Sequence, residues 1–192
     1  MLTLIAGLIL FLGAHSARIV AEPARQRFID TRGPLAWKAL YSVFSVLGFV
    51  LIIQGYGQAR MTPEVLWATP LWVRHLASVL TLAAFVLLAA AYVPRNAIKA
   101  KLHHPMVLAV KAWALAHLVS NNTLADVVMF GAFLVWAVLS FRAARQRDRL
   151  QGQHYPAGTM AGTGIAVAVG LAAWAGFALW AHQAWIGVRP FG

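Results

Sequence analysis

Apolar residues run along this chain in long blocks, and polar residues gather in the short gaps between them. Blocks of about 18 or more apolar positions read as membrane-crossing helices rather than amphipathic ones. They cover roughly 2–20, 35–56, 71–92, 103–121, 124–141 and 160–185. The pattern predicts an all-α, polytopic transmembrane helix bundle of six spans, with 1–192 as a single integral membrane domain. Prolines punctuate the gaps: Pro23 and Pro34 in a basic loop, Pro63 and Pro70 beside Trp67 and Trp72, and Pro94 ahead of Lys99. Tryptophans near a span end suit the headgroup region. Residues 151–159 read as a plain polar loop.

Local signals refine the blocks. Pro105 opens the fourth span, where a missing amide costs little. Helical spacing there puts Val110, Trp113, Ala114, His117 and Asn121 on one face. His117 and Lys111 stand inside an apolar run, and ionisable groups in that setting point to a bundle interior or a polar cavity. Thr123 and Asp126 have capping-box spacing, so a fifth helix starts directly after the fourth. In the sixth span Gly164, Ala168, Ala172 and Gly176 recur every four residues and predict a close helix–helix contact. Block 2–20 resembles a signal sequence at Ala14-His15-Ser16, but its cations follow the apolar run instead of preceding it, and it is expected to stay as a span.

Charge sets the orientation. The 192 residues are 61% hydrophobic and 11% charged, with a formal charge of +11 and five acidic residues. The gaps after spans one, three and five hold Arg18, Arg25, Arg27, Arg32, Lys38, Arg95, Lys99, Lys101, Arg142, Arg145, Arg147 and Arg149, against Arg60, Arg74 and Arg189 on the other side. Twelve cations against three put the first set in the cytoplasm and both termini outside. That asymmetry accounts for the basic composition, so nucleic acid is not an expected partner; the lipid bilayer is. Cysteine is absent, which removes disulfides, thiolate ligands and a thiol nucleophile. No phosphate-binding glycine loop or H-E-x-x-H motif occurs, and catalytic residues stay unassigned.

Histidine is the remaining chemistry. His154 falls in a loop, and His103 and His182 near span ends. His15, His75, His104 and His117 are left as intramembrane positions. Imidazoles from membrane helices suit a haem iron, which takes nitrogen at its axial positions; a bond to a neighbouring helix, in a scaffold without cofactor, is the plainer alternative. Depth pairs them differently from any single motif. At 1.5 Å per residue His15 lies roughly 5 Å from the cytoplasmic end and His117 roughly 18 Å. His75 matches His117 in depth, and His104 matches His15.

Several of these residues carry a family resemblance. Leu12-Gly13-Ala14-His15-Ser16 with Arg18, then Trp67, Pro70, Trp72 and His75, then His104-Pro105-Met106 and Trp113-Ala114-Leu115-Ala116-His117 with Asn121, resemble the NnrU family over about residues 1–190. That family is linked in denitrifying bacteria to nitrite and nitric oxide reductase function, and is similar to plant zeta-carotene isomerase, a membrane enzyme using haem b. The resemblance implies a multi-pass protein of the bacterial inner (cytoplasmic) membrane. It implies haem b on His15 and His117; depth keeps His75 and His104 as alternates, and Asn121, one turn beyond His117, is a weaker candidate placed to orient it. Denitrification enzymes or electron-transfer proteins are the implied partners. Haem-dependent cis–trans isomerisation of an apolar polyene such as a carotenoid is the alternative. Where the isomerase has an alternative cysteine ligand, three residues before the second histidine, this chain has Ala114. The His-Pro helix also resembles the isoprenylcysteine methyltransferase group, but no charged cofactor segment follows the fifth span.

Overall fold

A computed structural model of the chain describes residues 1–190; Phe191 and Gly192, and with them the C-terminal end expected outside, lie outside the described residues. The helices are α1 (Leu2–His15), α2 (Ala17–Val20), α3 (Glu22–Met61), α4 (Trp72–Tyr92), α5 (Ala97–Leu102), α6 (Pro105–Ser120), α7 (Leu124–Leu150), α8 (Met160–Gly176) and α9 (His182–Ile186), with a π-helical turn at Phe177–Ala181 between the last two. No strand occurs among the described residues. Four helical stretches are long and apolar enough to cross a membrane: Glu22–Met61, Trp72–Tyr92, Leu124–Leu150 and Met160–Ile186. The positions of the other two expected spans hold α1 and α6, shorter apolar helices of 14 and 16 residues that are not among those four. At 1.5 Å per residue they reach about 21 and 24 Å, short of a hydrocarbon layer of about 30 Å.

The gap around Pro23 and Pro34 is not a loop. Residues 22–32 are helical, with Pro23 in the first turn and Glu22 ion-paired to Arg25 at 3.0 Å. The break falls at Gly33, with φ 84° and ψ 159°. Proline disfavours a helical residue before it, and this backbone region is open essentially to glycine alone. Gly33-Pro34 therefore ends one helix and starts the next. Arg25 and Phe28 reach across the break to the Trp37 ring, at 5.7 and 5.9 Å.

The chain divides into two compact units: Met1–Trp67 with Asn122–Ser140, and Ala68–Asn121 with the chain from Phe141 onward. In the first, α1 packs along α3. Side chains would block the approach: a Cβ on Gly55 would lie 2.2 Å from the Leu4 nitrogen, and one on Gly48 would lie 2.6 Å from the Phe11 nitrogen. Leu4 is wholly buried there. The segment after α3 pairs with the start of α7, Leu66 N–H donating to the Asn122 carbonyl at 2.8 Å and Leu124 N–H to the Glu64 carbonyl at 2.9 Å. The capping box is present as expected. Thr123 N–H donates to Asp126 Oδ2 at 3.0 Å, and Asp126 N–H to Thr123 Oγ1 at 3.3 Å. Tyr56 adds a hydroxyl donor to Asp126 Oδ1 at 2.5 Å.

In the second unit α4 packs against both α6 and α8. Its polar knot is Asn96, 2% exposed, which caps α5 by accepting from Lys99 N–H and donates to the carbonyls of Ala90 and Val93. The small-residue contact of α8 is real but sits two positions away from its expected place. Gly162, Ala166 and Gly170 are buried, whereas Gly164, Ala168, Ala172 and Gly176 are exposed. Both sets have the same spacing, so periodicity cannot choose between them; the partner helix does. A Cβ on Gly170 would meet the Val86 Cα at 2.6 Å, while one on Gly164 would meet nothing within 4 Å.

Gly170→Ala should therefore destabilise the protein by about 1–3 kcal/mol through overpacking, and Gly164→Ala should leave it unchanged or slightly more stable, as alanine favours helix. Thermal unfolding of both variants in detergent checks this, and the reverse order would put the contact back on the other stripe.

Candidate functional site

His15 closes α1 in the first unit. Its ring stacks on Phe11 at 4.1 Å and lies 5.0 Å from the Tyr41 ring and 6.0 Å from Trp136, edge-on at 86°. Its Nδ1 lies 2.7 Å from the Phe11 carbonyl. A carbonyl only accepts, so Nδ1 carries the hydrogen, and in the neutral ring Nε2 carries the lone pair. Along the neighbouring face of α1, an apolar groove of about 440 Å³ runs between Leu12 and Gly13 on one side and Gly131, Val135, Trp136 and Leu139 on the other.

His117 lies in the second unit, in the last turn of α6, and repeats this arrangement. Its Nδ1 donates to the Trp113 carbonyl at 2.9 Å, with the two rings 5.2 Å apart. Asn121 ends the helix, and its backbone N–H donates to the His117 carbonyl at 2.9 Å. Ala114, at the position of the isomerase's alternative cysteine ligand, is wholly buried and has no ligating atom. His75 is exposed on the first turn of α4. His182 donates from Nδ1 to the Val188 carbonyl at 2.7 Å.

His104 is engaged differently. It starts α6, and its Nε2 donates to Asp148 Oδ2 at 2.8 Å. Any metal would therefore meet His104 at Nδ1. The same carboxylate oxygen accepts from the Tyr155 hydroxyl at 3.1 Å. It also lies 3.6 Å from His103 Nδ1, to which Arg145 donates. The His103 ring rests on Tyr155 at 4.2 Å. His103 itself has φ 70° and ψ −55°, and His104 N–H donates back to the Leu102 carbonyl at 2.9 Å. That is a γ-turn of the strained hand, which a non-glycine residue adopts only where its surroundings hold it.

Asp148 and Tyr155 follow the apolar part of α7, which ends near Phe141, and so lie beyond the apolar stretch of that helix. Burial alone would raise the Asp148 carboxyl; the hydrogen bond and charge of His104, the Tyr155 hydroxyl and the nearby His103 outweigh it and hold the carboxyl below its ordinary range. Burial, then the hydrogen bond and charge of Asp148, push the Tyr155 hydroxyl up. Sequence reading left out Asp148, Tyr155, Arg145 and Trp136. His104 and Asp148 are 44 positions apart, so no local spacing announces them. A lone aspartate amid four arginines at the end of α7 was the available signal. Among the described residues no group of three or more histidine, aspartate or glutamate side chains is arranged to hold a bare metal ion.

A family model described as NnrU protein matches residues 3–190. Neither the curated proteins nor the solved structures yielded a match.

Removing the Asp148 carboxylate, as Asp148→Ala, should cost about 1.5–3 kcal/mol at pH 7, the range for hydrogen bonds to a charged group. Because the carboxyl is depressed in the folded protein, its contribution is complete above the unfolded value of about 4 and is lost as pH falls through the lower folded value. Melting curves of parent and variant across pH 7 to 3 should converge at the acid end. A constant gap across that range would remove the ionised Asp148 from the account.

Proposed function

This chain belongs to the NnrU family, and on that premise we propose an integral membrane protein of the bacterial inner membrane that binds haem b through His15 and His117 and supports nitrite and nitric oxide reduction in denitrification. The observation that carries the haem reading is the shared state of the two rings. Each donates Nδ1–H to the carbonyl one turn earlier in its own helix, at 2.7 and 2.9 Å. That bond fixes the tautomer and the ring plane and leaves Nε2 as the ligating atom. The donor set fits haem chemically: imidazole nitrogens, aromatic walls and no thiolate. Bound haem b would supply a redox-active iron. What the chain contributes is orientation of each imidazole, exclusion of water by Phe11, Tyr41 and Trp113, and an apolar surface along α1.

Polyene isomerisation is the second reading, and the apolar groove beside α1 favours it as a berth for a long hydrocarbon. With alanine at position 114 it would have to proceed without a thiolate ligand.

The membrane arrangement belongs to the proposal as well: six spans, with α1 and α6 as short ones, the cation-rich ends of α5 and α7 in the cytoplasm and both termini outside. A reporter fused after Arg149 should be active in the cytoplasm and one after Gly192 outside. A C-terminal reporter active in the cytoplasm would overturn six spans.

For the cofactor, protein purified after expression with ample haem should show a Soret band. His117→Ala should lose it. His15→Ala should lose it or turn high-spin. His182→Ala, altered outside the proposed ligand set, should keep the parent spectrum. Comparison at equal membrane abundance decides the matter; full haem retention by His117→Ala, or a colourless parent, would sink the reading.

A further inference from the structure

Among the described residues three buried side-chain polar atoms lack a hydrogen-bond partner: Glu22 Oε2, Thr69 Oγ1 and Trp136 Nε1. Glu22 is ion-paired with Arg18 and Arg25, and Thr69 lies in the connection before α4. Trp136 differs from both. It lies within the apolar part of α7, where no water replaces a missing acceptor, and an unpaired N–H there is costly. Its ring also forms part of the wall of the groove in the first unit and stands edge-on to His15. The groove is open where Gly13 and Gly131 have no side chain, and a Cβ at either would meet nothing within 4 Å.

We propose that Trp136 is a positioning residue for the prosthetic group, its indole N–H donating to a propionate carboxylate of haem b. This rests on the haem reading above. The propionates are the polar edge of an otherwise apolar molecule, so they belong toward the basic end of the helices. Trp136 lies five positions before Phe141, roughly 8 Å along α7 from where its apolar part ends. His15 lies three positions before Arg18. An acceptor is thus supplied at the depth where a donor lacks one, while Leu12, Val135 and Leu139 face the apolar remainder. The N–H is covered in the structure, so the ring has to turn to reach a propionate, and pairing with an anion favours that turn.

The test compares haem b with its propionate dimethyl ester in the purified full-length protein, reading the rate at which each passes to an excess of a haem-scavenging apoprotein. The parent should release the ester about tenfold faster than haem, the scale of one charge-assisted hydrogen bond. Trp136→Phe keeps a ring in the wall but has no donor, and should release both at the fast rate. Trp136→His retains a ring N–H and should recover part of the difference. A parent that releases haem and ester equally, or a Trp136→Phe variant that keeps the parent's difference, overturns the assignment while leaving haem binding intact. A parent that takes up neither overturns the haem reading itself and this inference with it. The parent comparison stands even where a variant fails to fold.

Discussion

How near two helix backbones can come is the constraint on which both units rest. Hydrocarbon tails are as apolar as leucine, so apolar burial does little to bring spans together within a bilayer; tight packing does. Gly55 and Gly48 let α3 close on α1 at Leu4 and Phe11, and Gly170 lets α8 close on Val86 of α4. The core is accordingly made largely of alanine and glycine, with Ala84, Ala90, Ala114, Ala116 and Ala166 among its buried members. Large apolar side chains stand outside it: Leu2 is 84% exposed and Met160 90%. On a water-soluble protein those would be liabilities. Against lipid they are the solvated surface.

Polar groups follow the complementary rule and are pinned where helices end. Asp126 is 5% exposed, yet the Thr123 backbone and hydroxyl and the Tyr56 hydroxyl all donate to it. Asn96 does the same work at the turn into α5, with its amide spread over three backbone groups. Buried polar groups satisfied in this way specify one geometry for a turn, since any other leaves several donors unpaired at once.

What could be read from the residues in advance depended on whether the cause was local. The apolar block at 71–92 became α4 at Trp72–Tyr92 because length and composition alone set a span. Pro105 opened α6 and Thr123 with Asp126 opened α7, since both signals act within one turn. The helix over 22–32 was misread as loop because its prolines looked like breakers, when Pro23 occupies a first turn that tolerates it and the break belongs to Gly33. The stripe on α8 had two phases of equal spacing, and only Val86, on another helix, distinguishes them. At the candidate site, the positions of His15 and His117 near helix ends were legible from sequence. Their ring hydrogen bonds to the preceding turn, the unpaired indole of Trp136 and the carboxylate under His104 were not, because each depends on the three-dimensional surroundings of a side chain.

The γ-turn at His103 has a consequence for synthesis. Its strain is offset by Asp148, Arg145 and Tyr155, all more than forty positions later in the chain. When α5 and α6 leave the ribosome those partners have not been made. The corner between the two helices therefore cannot lock during its own insertion. α6, short for a membrane and begun by a proline, has to wait with its start unfastened until the end of α7 and the following loop arrive. The corner of the second unit is then closed late, by polar side chains made after α4 and α6 and before α8.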